Sequence, residues 1–361
     1  MKKYPHHYPR TFFFPLLIIF LILSAVTYGQ ARGWFIPQQP IVEVIDGTIT
    51  FASLTLEQKI AQMIIVAGYR ENSQAWKNMQ LGGIHLFALQ TEHIFNNTVV
   101  DFQYDMTIPF FVTADLEGCI SPFGGIRNFT ANSQIKTLGE AFEKGFQEGA
   151  FLHKLGFNLN FAPVVDLQDS IWKCRSFNGT EQQVAEFAQA YILGLQTQQV
   201  IGTAKHYPGK TLVVRDPHKY IVAATIDQAD LYPYDYLAEN DDVKAIMVSH
   251  IITTGAMNSE GLPAVTSTEI ILSLKKRFDG LVISDEIHML GLKNFYNTSD
   301  EMYLAVFKAG NDLILNFDKD PNEIHRMIQV IKAAVERGEI PEEQIDASVR
   351  KILEMKGFKV E

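Results

Sequence analysis

The stretch 278-FDGLVISDEI-287 shows the plan on which the chain is built. An apolar run over residues 280–284 predicts a buried strand, and two acidic residues, Asp285 and Glu286, follow it directly. Such a near-continuous apolar run is typical of a strand that is covered on both faces. Seven further runs of this kind lie at residues 63–67, 83–88, 110–114, 158–164, 202–206, 245–249 and 312–316.

Amphipathic segments separate these apolar runs. Residues 180–195 carry apolar side chains at helical spacing, and Thr180 with Gln183 predicts a capping box at the start. Strands that alternate with helices predict a parallel sheet. Eight repeats favour an α/β fold, a single (β/α)8 TIM-type barrel over residues 51–361. The alternative is a doubly wound open sheet, but no glycine-rich nucleotide-binding fingerprint follows any strand.

Ionisable side chains follow five of the predicted strands at the point where each strand ends. In a barrel the carboxyl ends of the strands meet at one face, which is where active sites lie. Carboxylates and histidines that converge there suit acid–base chemistry on an acetal, as in glycoside hydrolysis. These residues are Asp115, Asp166, Lys205, His206, His250 and Asp285, and Arg175 lies in the loop after Asp166.

Composition and charge narrow the classes of function. The net charge is −10 and the body of the chain has no cluster of Lys and Arg, so we expect no nucleic-acid partner. His85, His93 and His153 share neither a helical face nor a loop, so we expect no metal site. No cofactor is expected, and we expect a monomer.

The first residues differ from the rest of the chain. Three basic residues precede a run at residues 12–26 that is almost wholly apolar. This order predicts a signal peptide or a membrane anchor over residues 1–29, followed by a linker over residues 30–50. The sequence leaves cleavage and anchoring open. In either case we expect export, to the periplasm or to the outer side of the inner membrane.

Several segments resemble glycoside hydrolase family 3, in its β-N-acetylglucosaminidase branch. The loop 204-AKHYPGKTLVVRDPHKY-220 resembles the Lys-His-Phe-Pro-Gly loop that ends in Asp-x-His in that branch. The stretch 278-FDGLVISDEIHMLGL-292 resembles the strand that carries the nucleophile. Three shorter segments resemble the substrate-binding strand ends, and they are 113-TADLEG-118, 160-NFAPVVDL-167 and 175-RSF-177.

This resemblance implies a role for each matching residue. Asp285 would be the nucleophile that forms a covalent glycosyl-enzyme, and His218 would be the general acid/base. Asp216 would orient the imidazole of His218 and stabilise its charged form. The residues that would hold the sugar are Asp115, Arg175, Lys205 and His206.

The chain also departs from the family pattern. Cys119 stands where a second glycine is common, and residues 120–123 replace the expected arginines. Glu286 stands where an aspartate is common, and His288 where a small residue is common. These changes alter the sugar-binding rim and leave the three catalytic positions intact.

Cys119 and Cys174 are the two cysteines of the chain. They fall in the loops after the third and fourth predicted strands, on the active-site face. We predict a disulfide between them, and two free thiols are the alternative.

The resemblance implies an exported, retaining exo-β-N-acetylglucosaminidase that acts on peptidoglycan fragments or other glycans. One alternative keeps the fold and changes the chemistry, giving a β-glucosidase or a phosphorolytic enzyme. The other alternative is a membrane-tethered glycan-binding barrel with little turnover, which the altered rim favours.

Overall fold

A computed structural model describes residues 13–212, 215, 216, 219–240 and 242–361. Eight parallel strands form its centre, one at each of the eight predicted positions. Their bounds are β1 Ile64–Ala67, β2 Gly83–His85, β3 Phe111–Ala114, β4 Leu159–Asn160, β5 Ile201–Tyr207, β6 Ala245–Val248, β7 Leu281–Ser284 and β8 Ile314–Asn316.

The strands follow one another in sequence order around a barrel. Each strand pairs in parallel with its neighbour, and β8 returns to pair with β1 through Ile314 and Ile64. The last gap, between β7 and β8, is bridged at Ile283 and Leu313. The sheet is therefore a nearly closed (β/α)8 barrel, as predicted, and not an open doubly wound sheet.

The fourth strand is the one most shortened relative to its predicted range. The apolar run at residues 158–164 gives only Leu159–Asn160 as a regular strand. Pro163 lacks the backbone N–H that a central strand must donate, so the ladder is interrupted there. The chain continues in extended form, and Val164 makes isolated bridges to Ser176 and Lys205.

Helices cover the outside of the barrel. Thr180 and Gln183 form the predicted capping box of the helix at Glu181–Gln196. In the described part of the chain the α-helices are α1 Phe13–Ala31, α2 Leu56–Gln62, α3 Ser73–Met79, α4 Glu92–Gln103, α5 Leu138–Lys154, α6 Glu181–Gln196, α7 Gln228–Ala238, α8 Thr268–Lys275, α9 Leu290–Lys293, α10 Ser299–Ala309, α11 Pro321–Glu336 and α12 Glu342–Met355.

The helices α5 and α6 pack unusually closely. A Cβ atom on Gly145 would overlap the backbone carbonyl of Tyr191, and one on Gly194 would overlap that of Phe142. Only glycine allows the two backbones to approach this far. The contact fixes α5 and α6 against each other.

The segment predicted as a linker packs against the barrel. Ile36, Val42 and Ile49 are buried and belong to the main hydrophobic core. Two short strands, Val44–Ile45 and Thr48–Ile49, form a small sheet with Lys359–Val360. A second small sheet joins Ala223–Ile226 to Ile252–Gly255 in the loops that follow β5 and β6.

Helix α1 covers residues 13–29 of the predicted signal or anchor segment and extends two residues beyond it. Its side chains from Leu17 to Leu23 are between 49% and 65% exposed. Within residues 13–212, 215, 216, 219–240 and 242–361, no helix is both long enough and apolar enough to cross a membrane.

Candidate active site

A cavity of about 270 Å³ opens at the carboxyl ends of the barrel strands. Five of the seven predicted site residues line it, and they are Asp115, Arg175, Lys205, His206 and Asp285. Asp216 lies on the loop after β5, where its carboxylate is 3.3 Å from Nζ of Lys219. His218, the predicted general acid/base, lies outside the described residues.

Lys205 is the centre of a buried ionic network. Its Nζ lies 2.5 Å from Oδ1 of Asp115 and 2.6 Å from Oε1 of Glu117. Glu117 also accepts two hydrogen bonds from Arg175, and the one from Nη2 is 2.8 Å long. Lys205, Glu117 and Arg175 are buried, whereas the side chain of Asp115 is 38% exposed. Asp115 is thus the member of the network that a ligand can reach.

The network keeps Asp115 ionised. Burial is the largest single effect and would raise the pKa of Asp115, but the charge and hydrogen bond of Lys205 and the other neighbouring groups together outweigh it, and the pKa is lowered. Arg175 and Lys205 lower the pKa of Glu117 in the same way, against the effect of its burial. An ionised carboxylate only accepts hydrogen bonds, so Asp115 can accept them from a ligand that donates.

Two side chains hold the loops that carry Glu117 and Arg175. Asn160, at the end of β4, exchanges two 2.9 Å hydrogen bonds with the backbone of Leu116. Asp169 accepts hydrogen bonds from the backbone N–H groups of Cys174 and Arg175, at 3.0 and 2.8 Å. Asn160 thus holds the residue that precedes Glu117, and Asp169 holds the backbone of Arg175 itself.

A disulfide joins the same two loops. Cys119 and Cys174 are bonded to each other, with their Cα atoms 6.2 Å apart. Cys119 lies two residues after Glu117, and Cys174 immediately precedes Arg175. The covalent bond therefore spans the two segments whose side chains form the Glu117–Arg175 pair.

His206 is oriented by a buried carboxyl group. Its Nδ1 lies 3.1 Å from Oδ2 of Asp166, and both residues are buried. Burial raises the pKa of Asp166 to about 7, although the positive charge of Arg175 opposes the rise. The bond fixes the imidazole ring of His206 at the cavity wall.

His85, at the end of β2, lies among aromatic rings at the cavity. Its ring stacks between those of Phe161 and Phe317, with centroids 5.6 and 4.8 Å away. Its Nε2 is 3.6 Å from Oδ2 of Asp115. Burial lowers the pKa of His85 to about 4, so the ring is neutral at pH 7. No pattern in the sequence indicates this place of His85 beside Asp115.

Asp285 follows the last residue of β7 and lines the cavity. Its backbone N–H donates to the carbonyl of Val248, and its Oδ1 accepts a 2.8 Å hydrogen bond from the backbone N–H of Glu286. His250, which follows β6, contacts the backbone carbonyl of Glu286 through Nε2 at 2.8 Å. Neighbouring strand ends therefore hold this carboxylate in place.

No group of three or more His, Cys, Asp or Glu side chains that could hold a metal ion occurs among the described residues. A carboxylate that faces a cavity lined by lysine, arginine and histidine side chains can act as a nucleophile. The same polar side chains can bind a polyhydroxy ligand.

The Glycosyl hydrolase family 3 N terminal domain matches residues 55–355. The β-hexosaminidase LpqI of Mycobacterium tuberculosis (strain ATCC 25618 / H37Rv) is 28% identical over 332 residues, which cover 85% of this chain and 84% of the relative. A family 3 glycosyl hydrolase from Mycobacterium smegmatis has a similar structure, with a TM-score of 0.76 and 25% identity over 85% of this chain and 98% of that one. A family 3 β-N-acetylglucosaminidase from a Paenibacillus species also has a TM-score of 0.76, with 26% identity over 84% of this chain and 62% of that one.

Proposed function

The chain belongs to glycosyl hydrolase family 3 and is a glycoside hydrolase, and from that premise we propose that it is an exported, retaining exo-β-N-acetylglucosaminidase. It removes a terminal β-linked N-acetylhexosamine unit from peptidoglycan fragments or similar glycans. The names of the similar β-hexosaminidase and β-N-acetylglucosaminidase support an acetamido sugar as substrate.

One observation carries the proposal. Asp285 and the Asp115–Lys205 pair line the same cavity, whose volume of about 270 Å³ lies just below the range of about 300–1,000 Å³ that is usual for ligand pockets. A space of this size suits one terminal sugar unit. It supports removal of single sugars from a chain end.

In the proposed reaction, the carboxylate of Asp285 attacks the anomeric carbon and forms a covalent glycosyl-enzyme. The bond to the leaving oxygen breaks, and His218 protonates that oxygen. His218 then takes a proton from water, whose oxygen attacks the anomeric carbon and releases Asp285. Two displacements at the same carbon retain its configuration.

The remaining residues bind and orient. Asp216 accepts the other N–H of His218 and stabilises the imidazolium that forms, as the carboxylate does in a Ser-His-Asp triad. Asp115 accepts hydrogen bonds from sugar hydroxyl groups. Arg175 and Lys205 keep Asp115 and Glu117 ionised, and His206 presents its imidazole to the sugar.

Export is part of the proposal. The basic start and the apolar run at residues 12–26 support it, and so does the Cys119–Cys174 disulfide, since such bonds persist in oxidising compartments. We place the protein in the periplasm or at the outer side of the inner membrane, where peptidoglycan fragments occur. Fractionation of cells that express the full chain tests this. Recovery in the cytosol with both thiols reduced would refute it.

The activity is tested with p-nitrophenyl N-acetyl-β-D-glucosaminide. We expect turnover by the parent protein and its loss in Asp285→Ala. Asp279→Ala is the matched control, because the side chain of Asp279 is fully exposed and lies outside the cavity. The matching β-glucoside measures the acetamido preference. Equal turnover of both sugars would make the protein a β-glucosidase as well, and turnover of neither would refute the proposal.

A further inference from the structure

Glu286 lines the cavity beside Asp285 and has no part in the reaction described above. Its carboxyl group is anchored through one oxygen. Oε1 accepts a 2.8 Å hydrogen bond from the backbone N–H of His288 and a 3.0 Å bond from that of Phe317. Among the described residues, none donates a hydrogen bond to the second oxygen, Oε2.

The charged groups around Glu286 come from three loops. Asp285 and His288 lie on its own loop, Asp318 on the loop after β8, and His250 on the loop after β6. Oδ2 of Asp318 is 3.5 Å from Nδ1 of His288. His250 contacts the backbone carbonyl of Glu286 through Nε2.

The cations of the cavity are engaged elsewhere. Lys205 pairs with Asp115 and Glu117, and Arg175 pairs with Glu117. Among the described residues, no Lys or Arg forms an ion pair with Glu286. Its surroundings are therefore two carboxylates, two imidazoles and two backbone N–H groups.

These surroundings favour the neutral acid. Burial raises the pKa of Glu286 to about 7, and the negative charges of Asp285 and Asp318 act in the same direction, against the two backbone hydrogen bonds. A carboxylic acid that is anchored through one oxygen carries its proton on the other. Such a group can donate a hydrogen bond, which an ionised carboxylate cannot.

We propose that Glu286 is a specificity-determining residue that donates a hydrogen bond from Oε2 to an oxygen of the sugar bound beside Asp285. The inference rests on the proposed function, because it needs a sugar in this cavity. Because Oε2 of Glu286 would be a hydrogen-bond donor, a ligand must place an acceptor atom opposite it. Ionisation of Glu286 removes this donor, so the affinity for the sugar should fall when the acid loses its proton.

Glu286→Gln tests this, because the amide has the same shape and donates at every pH. Binding of N-acetylglucosamine is measured by calorimetry between pH 6 and pH 8.5, and KM with the aryl glycoside over the same range. At pH 6 we expect the variant to bind within about twofold of the parent. At pH 8.5 we expect the parent to bind about threefold to tenfold more weakly than the variant, the effect of one hydrogen bond.

The ratio of the two dissociation constants cancels any titration that the two proteins share. A purely structural role for Glu286 would leave this ratio constant with pH, and a constant ratio overturns the proposal. Glu286→Asp is the second variant: it keeps the acid but shortens the side chain, and we expect weaker binding at every pH with kcat less affected. Stronger binding by Glu286→Asp than by Glu286→Gln at pH 8.5 would also overturn it.

A measurement without sugar separates this proposal from the proposed function. Infrared difference spectra of the parent against Glu286→Gln isolate one carboxyl group. We expect a protonated-carboxyl band at pH 6 that disappears with a midpoint near pH 7. An ionised Glu286 at pH 6 would overturn this inference and leave the hydrolase intact. A parent that shows the band but binds no sugar would overturn the proposed function and, with it, the donor role.

Discussion

Nζ of Lys205 lies 2.5 Å from Oδ1 of Asp115, so the ends of β5 and β3 are joined inside the cavity. The same ammonium group reaches Glu117, which makes it the shared partner of two carboxylates. One buried cation thus compensates two negative charges, and Arg175 supplies the other positive charge. Loss of either cation leaves an uncompensated buried charge, which is strongly unfavourable.

Lys205→Met should therefore reduce activity strongly. Without the ammonium group, Asp115 and Glu117 repel each other and one of them takes up a proton. Because Asp115 is the carboxylate that a ligand can reach, we expect kcat/KM to fall about 100-fold, which corresponds to about 3 kcal/mol of lost transition-state stabilisation. Lys308→Met is the control, because its partner Glu339 is exposed, and it should change kcat/KM by less than about twofold. Unchanged activity in Lys205→Met would contradict the assigned role of the network.

The disulfide should contribute to stability. It closes a loop between positions that are 55 residues apart, which corresponds to about 4 kcal/mol in the chain-entropy model. We expect the double variant Cys119→Ser, Cys174→Ser to unfold at lower denaturant concentration than the oxidised parent. Dithiothreitol should destabilise the parent and leave the double variant unchanged. Equal sensitivity of the two proteins to the reductant would show that the bond is not formed in solution.

Lys356 should make stability depend on pH. Its Nζ donates to Oε1 of Gln62 and to the carbonyl of Gly82, and burial lowers its pKa from 10.5 to about 7. The unfolded chain binds a proton near pH 10.5 that the folded protein binds only near pH 7. Stability is therefore lost as the pH falls through this window, and the loss is complete below about pH 7.

The variant Lys356→Met lacks this titration. Urea unfolding from pH 6.5 to pH 10.5 should show a stability difference between parent and variant that changes in favour of the variant as the pH falls. The direction of this change is the test, because the two lost hydrogen bonds add an offset that does not depend on pH. Parallel stability curves would mean that Lys356 is charged throughout the range in the folded protein.

Gly145→Ala should destabilise the barrel. The new Cβ atom would overlap the backbone carbonyl of Tyr191, so α5 and α6 must move apart. Overpacking of this kind costs about 1–3 kcal/mol. Gly139→Ala lies on the same helix with open space around the added atom, and it should raise stability by about 0.5–1 kcal/mol. A loss of stability in both variants alike would point to the helix itself and not to its contact with α6.

The strands of the barrel could be predicted because each is a short apolar run that is buried on both faces. Their ends were less certain, since a ladder needs N–H donors, and Pro163 removed one from the predicted fourth strand. The docking of residues 44–49 could not be foreseen. It depends on pairing with Lys359–Val360 at the other end of the sequence, and no local pattern indicates that partner.

The strand-end rule places Asp115, Lys205, His206 and Asp285 at one face of the barrel, and in the structure these four side chains line one cavity. The strand-end rule cannot predict which of these side chains form ion pairs or hydrogen bonds with one another. In the sequence, Glu117 is one more acid near a strand end. Only the convergence of two loops with the end of β5 shows that it bonds both Lys205 and Arg175. The protonation of Glu286 is equally hidden, because it depends on which groups surround the side chain in space.

The pairing of β8 with β1 has a consequence for the order in which the protein forms. Ile64 and Ile314 stand at opposite ends of the barrel sequence, so the ring cannot close until the last strand has been made and has found the first. Contacts between residues so far apart form slowly, since a long loop must be closed before they contribute. During that interval the backbone N–H and C=O groups along one edge of β1 are unpaired. The incomplete barrel can then aggregate through this edge or be bound by a chaperone.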